Sequence, residues 1–321
     1  MRWAILAVAL TAAGLACARG SPSDLTEIVQ VTIPRGASLA VAAESLHVHD
    51  LIESKRIFQF YAVASGRERA IQAGTYDIPR DASVRRVLEM LVAGRPAERR
   101  LVILEGLSLA ELADTVEKQL GIPASDVQSA ASDPDLRARL GISAPTLEGY
   151  LYPSTHLVRV DATAEDIVRQ LAAEFERHWH PEWTARLDTL GMTKHEVVTL
   201  ASIVEGEVRY EPDRAYVSSV YHNRLERGMR LQADPTVVYA LGRRRRLYER
   251  DYQTPSLYNT YLIDGLPPGP IGSPSEASIE AALYPVRTRF LYFVARPDGQ
   301  HVFSLTYAEH LRTIREIRGG S

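Results

Sequence analysis

The sequence lacks a second cysteine: Cys17 is alone among 321 residues, so the chain can form no internal disulfide bond. It also lacks an excess of positive charge, since its net charge is -3 and its pI is about 6.3, which argues against a nucleic-acid partner. A Gly-rich phosphate loop and a Gly-x-Ser-x-Gly elbow are absent, which argues against nucleotide and esterase chemistry. The remaining composition is that of a globular protein, and the length predicts two domains.

The N-terminus has the pattern of an export signal or membrane anchor, because positive Met1-Arg2 precedes an almost unbroken apolar run from Trp3 to Ala16. That run is shorter than the roughly 20 residues of a membrane-spanning helix, which favours cleavage or lipid attachment. Cys17 follows small Ala16 and is a candidate lipidation site, with an uncleaved anchor as the alternative. We assign residues 1–22 to this segment and its linker, and both alternatives place the remaining chain outside the cytoplasm.

Residues 23–97 show strand and helix patterns in the order β-α-α-β-α. The first strand is the β-branched stretch from Ile28 to Pro34, and Ser38 is the predicted N-cap of the helix that follows. This order and size resemble a LysM-like module, and the resemblance implies binding to polymers of N-acetylglucosamine. A spacer without affinity for sugar is the alternative.

The strand-turn-helix unit at Thr32–Ala40 is repeated at Val102–Ala110, with a glycine at each turn. We interpret residues 98–321 as a second, larger domain with catalytic function. The predicted fold class is therefore α+β: a small LysM-like α/β module followed by a larger α+β catalytic domain.

Metal chemistry has little support in the sequence. His195-Glu196 begins like a zinc-binding His-Glu-x-x-His helix, but Thr199 occupies the position of the second histidine. The spacing of His178 and His180 suits neither one helix face nor a known set of ligands. We predict no metal site and no cofactor.

The segment from Thr193 to Val208 is predicted to be a helix, because Thr193 and Glu196 form a capping box at its start. Its apolar residues recur at helical spacing and predict one buried face: Val197, Leu200, Ala201, Val204 and Val208.

Glu205 lies on or beside that apolar face. Burial disfavours a charged carboxylate, so we expect a raised pKa and a carboxyl that can donate a proton near neutral pH. A glycosidic oxygen needs such a donor before its bond breaks. A side chain that faces solvent, or a structural ion pair with Arg209 four residues further along the helix, is the alternative.

Several motifs occur in a fixed order along the chain and include Glu205. They are Glu148–Pro153, Ala201–Glu207, Asn223–Leu225, Met229–Thr236, Tyr258–Tyr261, Gly265–Ile271 and Tyr292–Ala295. From about residue 30 to the C-terminus this series closely resembles the endolytic murein transglycosylase family.

The resemblance implies a lyase that breaks the β-1,4 bond between N-acetylmuramic acid and N-acetylglucosamine in peptidoglycan and leaves a 1,6-anhydromuramic end. Glu205 matches the family's catalytic glutamate. The family also implies anchoring to the inner membrane through the N-terminus, with the body facing the periplasm or wall. It implies cutting of nascent strands alongside penicillin-binding synthases. A non-catalytic peptidoglycan-binding scaffold and a water-using muramidase, with Glu207 or Asp234 as base, are the alternatives.

Other polar residues in these motifs are candidates for hydrogen bonds to sugar hydroxyls and acetamides. They are Gln232, Asp234, Asn223, Asn259, Tyr261, Glu148 and Glu207. Asp234 has an alternative role as a helix N-cap before Pro235. Glu148 has two alternative roles: it could hold a loop near the site, or it could pair with an arginine.

Overall fold

The computed structural model describes residues 27–94, 96–142 and 144–319. The predicted signal or anchor and Cys17 lie outside these residues. Within them, no helix combines the length and the hydropathy that crossing a membrane requires. The chain divides into two compact units, one ending at Pro96 and the other starting at Ala97.

The first unit contains a two-stranded antiparallel sheet and three helices, in the predicted order β-α-α-β-α. Ile28 pairs with Pro79 and Ile33 with Gly74 across the sheet. Serine side chains cap each helix by accepting a hydrogen bond from a backbone N–H in the first turn, as predicted for Ser38. The elements are β1 (Ile28–Ile33), α1 (Leu39–Val48), α2 (Lys55–Ala64), β2 (Gly74–Pro79) and α3 (Val84–Ala93).

The second unit is mainly helical, with two small antiparallel sheets formed by β3 with β4 and by β5 with β6. Its first helices and strands are β3 (Glu98–Val102), α4 (Leu109–Leu120), α5 (Ala124–Ser132), α6 (Pro134–Arg139), β4 (Thr155–Arg159), α7 (Ala164–His178) and α8 (Pro181–Leu190). The rest are α9 (Lys194–Glu207), α10 (Arg214–Glu226), α11 (Asp234–Ala240), α12 (Glu276–Leu283), β5 (Tyr292–Ala295), β6 (His301–Ser304) and α13 (Tyr307–Gly319). The mixed α+β class is confirmed.

Helix α9 is the centre of the second unit, and the prediction of a single buried face was wrong. Every residue from Val197 to Val204 is buried, including Thr199 and Ser202. The reason is that α10, α11 and α12 all pack against α9, so it is covered on more sides than its own apolar pattern indicates. Helix α9 therefore carries Glu205 on a rigid element inside the core.

The predicted capping box of α9 is present. The Thr193 hydroxyl accepts a hydrogen bond from the Glu196 N–H, and the Glu196 carboxylate accepts from the Thr193 N–H at 2.7 Å. Two otherwise unpaired backbone donors are thus satisfied at the start of the central helix.

We expect Thr193→Ala to lower the free energy of unfolding by about 1 kcal/mol, because the cap oxygen is lost. Thr193→Ser keeps that oxygen and should stay close to wild type. Urea denaturation of the two variants checks the difference, and equal loss in both would show that the cap is not the cause.

Candidate functional site

Glu205 lies in the last turn of α9, and its side chain is 9% exposed. One carboxylate oxygen, Oε2, accepts hydrogen bonds from the first turn of α12 and the residue before it. The Ser275 N–H donates at 3.0 Å and the Ser278 hydroxyl at 2.8 Å, and the Ser275 hydroxyl donates as well. The position at the N-terminus of α12 also favours negative charge. This oxygen is fixed by the protein.

The other oxygen of Glu205, Oε1, has no donor among the residues that the structure describes. A carboxyl group with one fixed oxygen and one free oxygen has a defined orientation and a defined reactive atom. Oε1 is therefore the atom of Glu205 that can exchange a proton with a ligand.

Arg214, and not Arg209, is the ion-pair partner of Glu205. Its Nη1 donates to Glu205 Oε2 at 3.1 Å, whereas Nε and Nη2 bind the Glu211 carboxylate at 2.6–3.1 Å. The guanidinium is buried. The apolar surroundings predicted for Glu205 were thus wrong, because α12 and Arg214 bring polar donors from distant parts of the sequence.

Two loops approach closely beside Glu205. The Gly106 N–H donates to the Ser273 carbonyl at 2.7 Å, and the Ser273 N–H donates to the Leu107 carbonyl at 2.8 Å. Gly106 has φ +70°, and a Cβ at Gly272 would lie 2.8 Å from the Gly106 carbonyl oxygen. Both glycines are required for this approach.

Glu105 is a candidate site residue that the sequence analysis missed. It precedes Gly106, where a Cβ would lie 3.5 Å from Glu205 Cγ. Burial and the nearby charge of Glu205 raise the pKa of Glu105. The signal that could have found it is the repeated turn, where the second copy has Glu105-Gly106 and the first has Arg35-Gly36.

Glu148 is buried and binds the start of α4. Its two oxygens accept from the Leu109 N–H at 2.9 and 3.1 Å, and the Tyr239 hydroxyl donates to it at 3.0 Å. Burial raises the pKa of Glu148 to about 7, although these hydrogen bonds oppose the shift. Glu148 therefore holds the helix that follows the Glu105 loop, and none of its hydrogen bonds comes from an arginine.

Glu207 lies two residues beyond Glu205, at the end of α9. The Tyr221 hydroxyl donates to its Oε1 at 2.8 Å. Burial raises the pKa of Glu207 to about 7, against the lowering effect of that hydrogen bond. The two acids of the motif thus have different surroundings, one paired with an arginine and serines and the other paired with a tyrosine.

Asp234, Tyr261 and Gln232 lie together with Glu207 along a recess of about 350 Å³. The Tyr261 hydroxyl donates to Asp234 Oδ1 at 2.6 Å. Asp234 is not the N-cap that one alternative predicted, because α11 begins at Asp234 and Ala233 occupies the cap position. Its carboxylate is exposed to the recess instead.

Asn223 and Asn259 hold loops in place. The Asn223 amide donates to the Thr288 and Phe290 carbonyls at 3.2 and 2.9 Å. Asn259 is fully buried and donates to two carbonyls of the preceding loop, at 3.0 and 2.9 Å. These contacts occupy the amide groups that the sequence analysis assigned to sugar.

A groove of about 1060 Å³ lies next to the helix end that carries Glu205 and is large enough for an oligomeric ligand. Ser202 and Gly206, which flank Glu205 in α9, line it together with Gly106, Glu207 and Asp234. Charged and polar side chains line much of it, together with a similar amount of apolar surface. An extended polar ligand is the class that such a groove suits.

His178 and His180 do not face this groove. Both contact the Glu276 carboxylate at 3.1 Å and so tie the end of α7 to the start of α12. In the described part of the chain, no group of three or more His, Cys, Asp or Glu residues could hold a metal ion.

Comparisons with known proteins point to one family. The model of the YceG-like family matches residues 31–316. An endolytic murein transglycosylase of Bacillus subtilis is 31% identical over 304 residues, covering 89% of this chain and 84% of that protein. One from Streptococcus pneumoniae is 29% identical, and the match covers 90% of this chain and 58% of that protein. A crystal structure of a yceG-like protein from Listeria monocytogenes is 32% identical with a TM-score of 0.62, covering 90% of this chain and 99% of that one.

The raised pKa of Glu148 predicts a pH-dependent stability. Below about pH 4.5 both folded and unfolded states hold the proton, and the stabilisation is fully present. As the pH rises from about 4.5 to about 7 the unfolded state ionises while the folded state keeps its proton, so roughly 3 kcal/mol is lost.

Glu148→Gln should therefore lose less stability than wild type between pH 5 and pH 8, as measured by thermal unfolding. Glu117→Gln, at an exposed position on α4, is the matched control and should follow wild type. An unchanged pH dependence in Glu148→Gln would contradict the assignment of a neutral carboxyl at neutral pH.

Proposed function

The chain belongs to the YceG-like family, and we propose that it is an endolytic peptidoglycan lytic transglycosylase with Glu205 as its proton donor and acceptor. The observation that carries this proposal is the asymmetry of the Glu205 carboxyl group. Oε2 is fixed by α12 and Arg214, whereas Oε1 is free next to the groove that Gly206 lines. The family resemblance that the motifs predicted is confirmed.

In the first step, protonated Glu205 donates its proton to the oxygen of the β-1,4 bond between N-acetylmuramic acid and N-acetylglucosamine. The bond from that oxygen to the muramic anomeric carbon breaks, and the carbon gains oxocarbenium character. The N-acetylglucosamine side leaves with a new hydroxyl group. Arg214 and the serines stabilise the carboxylate that forms on Glu205.

In the second step, the Glu205 carboxylate accepts the proton of the muramic C6 hydroxyl. The C6 oxygen attacks the anomeric carbon of the same sugar and closes a 1,6-anhydro ring. No water is consumed, and Glu205 regains its proton for the next turnover. One carboxyl group therefore serves both steps.

Glu207 and Asp234 are poor candidates for a base that activates water, because tyrosine hydroxyls already bind their carboxylates. They suit substrate binding in the adjoining recess, together with Gln232 and Tyr261. Glu105 is the exposed carboxyl group beside Glu205, and it is the observation that favours a second candidate function, water-using muramidase cleavage.

We assign the first unit to glycan binding as a LysM-like module and the N-terminal segment to attachment at the inner membrane. The body then faces the periplasm or the wall. Cutting nascent strands near the membrane would set their length, alongside penicillin-binding synthases. The order of elements in the first unit supports the LysM-like assignment.

Glu205→Gln should lower the rate of cleavage by about 10²–10⁴-fold, since it removes the general acid and base. Glu207→Gln is the neighbouring control and should retain far more activity. Mass spectrometry of fragments from purified sacculi measures both the rate and the chemistry of the new ends.

Anhydro ends from wild type would support the transglycosylase, and reducing ends would support the muramidase. Binding without any cleavage would support a non-catalytic scaffold. Anhydro fragments from Glu205→Gln at the wild-type rate would rule out the assigned role of Glu205.

A further inference from the structure

Six arginines line the groove beside Glu205, and two of them are neutralised within the protein. Arg244 pairs with Glu111 and Arg245 with Asp251, with nitrogen–oxygen distances of 2.5 and 2.7 Å. The other four are exposed and have no carboxylate partner among the residues that the structure describes. They are Arg209, Arg243, Arg246 and Arg296.

The run of arginines is anchored next to the reactive carboxyl. Arg244 Nη2 donates to the Gly106 carbonyl, and a Cβ at Gly106 would lie 3.5 Å from Glu205 Cγ. Arg243 and Arg246 flank this anchored pair in sequence, so they belong to the groove wall near the site.

The second pair of free arginines comes from a different part of the chain. Arg209 lies two residues beyond the end of α9, and its Cβ is 3.8 Å from the position of a Cβ on Gly299. Gly299 and Arg296 belong to the turn between β5 and β6, and the Gly299 N–H donates to the Arg296 carbonyl at 3.0 Å. The groove thus has free guanidinium groups from two separate segments.

The acidic residues of the same groove do not cancel this charge. Glu111 is paired with Arg244, Glu148 is held by the Leu109 N–H, and Glu207 is held by Tyr221. Asp114 and Asp234 are exposed exceptions, and the Tyr261 hydroxyl donates to Asp234. The free groups that face a ligand are therefore mainly guanidinium groups.

Guanidinium groups bind carboxylates with paired hydrogen bonds. The sugar rings of a peptidoglycan strand are neutral, but each muramic acid carries a lactyl side chain. Its carboxyl group is either free or linked to a stem peptide that has carboxylates of its own. A cationic groove beside the cleaved bond is complementary to both.

We propose that Arg243 and Arg246, with Arg209 and Arg296, bind the carboxylates of the muramic-acid side chains and thereby select charged glycan strands over neutral ones. This inference rests on the proposed function. In it, the arginines bind the charged side chains of the substrate, and Glu205 acts on the bond between its sugars.

The test is a binding measurement in the full-length protein carrying Glu205→Gln, so that strands are not cut during titration. The added double substitution Arg243→Gln and Arg246→Gln should raise the Kd for uncross-linked, peptide-bearing strands about tenfold, the combined effect of two exposed charge contacts. The wild-type groove should also lose affinity more steeply with NaCl than the double variant.

A matched control removes two exposed arginines of the second unit that do not line the groove, Arg227→Gln and Arg287→Gln. It should leave the Kd unchanged. Strands whose carboxylates have been converted to neutral methylamides should bind both proteins equally. Equal affinity of the groove variant and its parent for charged strands would overturn the inference.

Amidase-treated strands, which carry only the lactyl carboxylate, identify the source of the charge. A loss of affinity that appears only with peptide-bearing strands assigns the site to peptide carboxylates, and a loss that appears only with amidase-treated strands assigns it to the lactyl carboxylate. A loss with both shows that the site accepts either carboxylate. Failure of the proposed function has a separate signature: strands bind with arginine-dependent affinity, but the protein with native Glu205 does not cleave them.

Discussion

The hydrogen bonds between Glu205 and the start of α12 join the end of one buried helix to the beginning of another, and the candidate site is arranged around them. The Ser275 N–H and the Ser278 hydroxyl reach one oxygen of Glu205 and leave the other free. Because α9 is buried along most of its length, that geometry is held by packing as well as by hydrogen bonds. A flexible glutamate would lack this distinction between its two oxygens.

The same region tolerates several carboxyl groups close together because each is stabilised differently. Arg214 pairs with Glu205, the Leu109 N–H at the start of α4 donates to Glu148, and the Tyr221 hydroxyl donates to Glu207. Burial raises the pKa of Glu148 and of Glu207 to about 7, so these two can be neutral under conditions in which an exposed glutamate is ionised. Mutual repulsion at the site is correspondingly lower.

Close backbone contact explains why glycines occur where they do in the site. Gly106 and Gly272 bring two loops together, and this contact places Glu105 beside Glu205 and gives Arg244 a carbonyl to bind. The arginine run thus becomes part of the groove wall through a loop that is more than a hundred residues away in sequence.

The sequence by itself determined the local elements and the candidate proton donor. Serine and threonine caps marked the helix starts, β-branched runs marked β1, and the ordered motifs singled out Glu205, because these signals depend on neighbours within a few residues. Only the tertiary structure decided that α9 is buried on several sides, that Asn223 and Asn259 hold loops, and that Arg214 pairs with Glu205. Those facts depend on which distant segments meet, and the spacing of residues along one helix carries no information about the donors and charges that another helix brings to it.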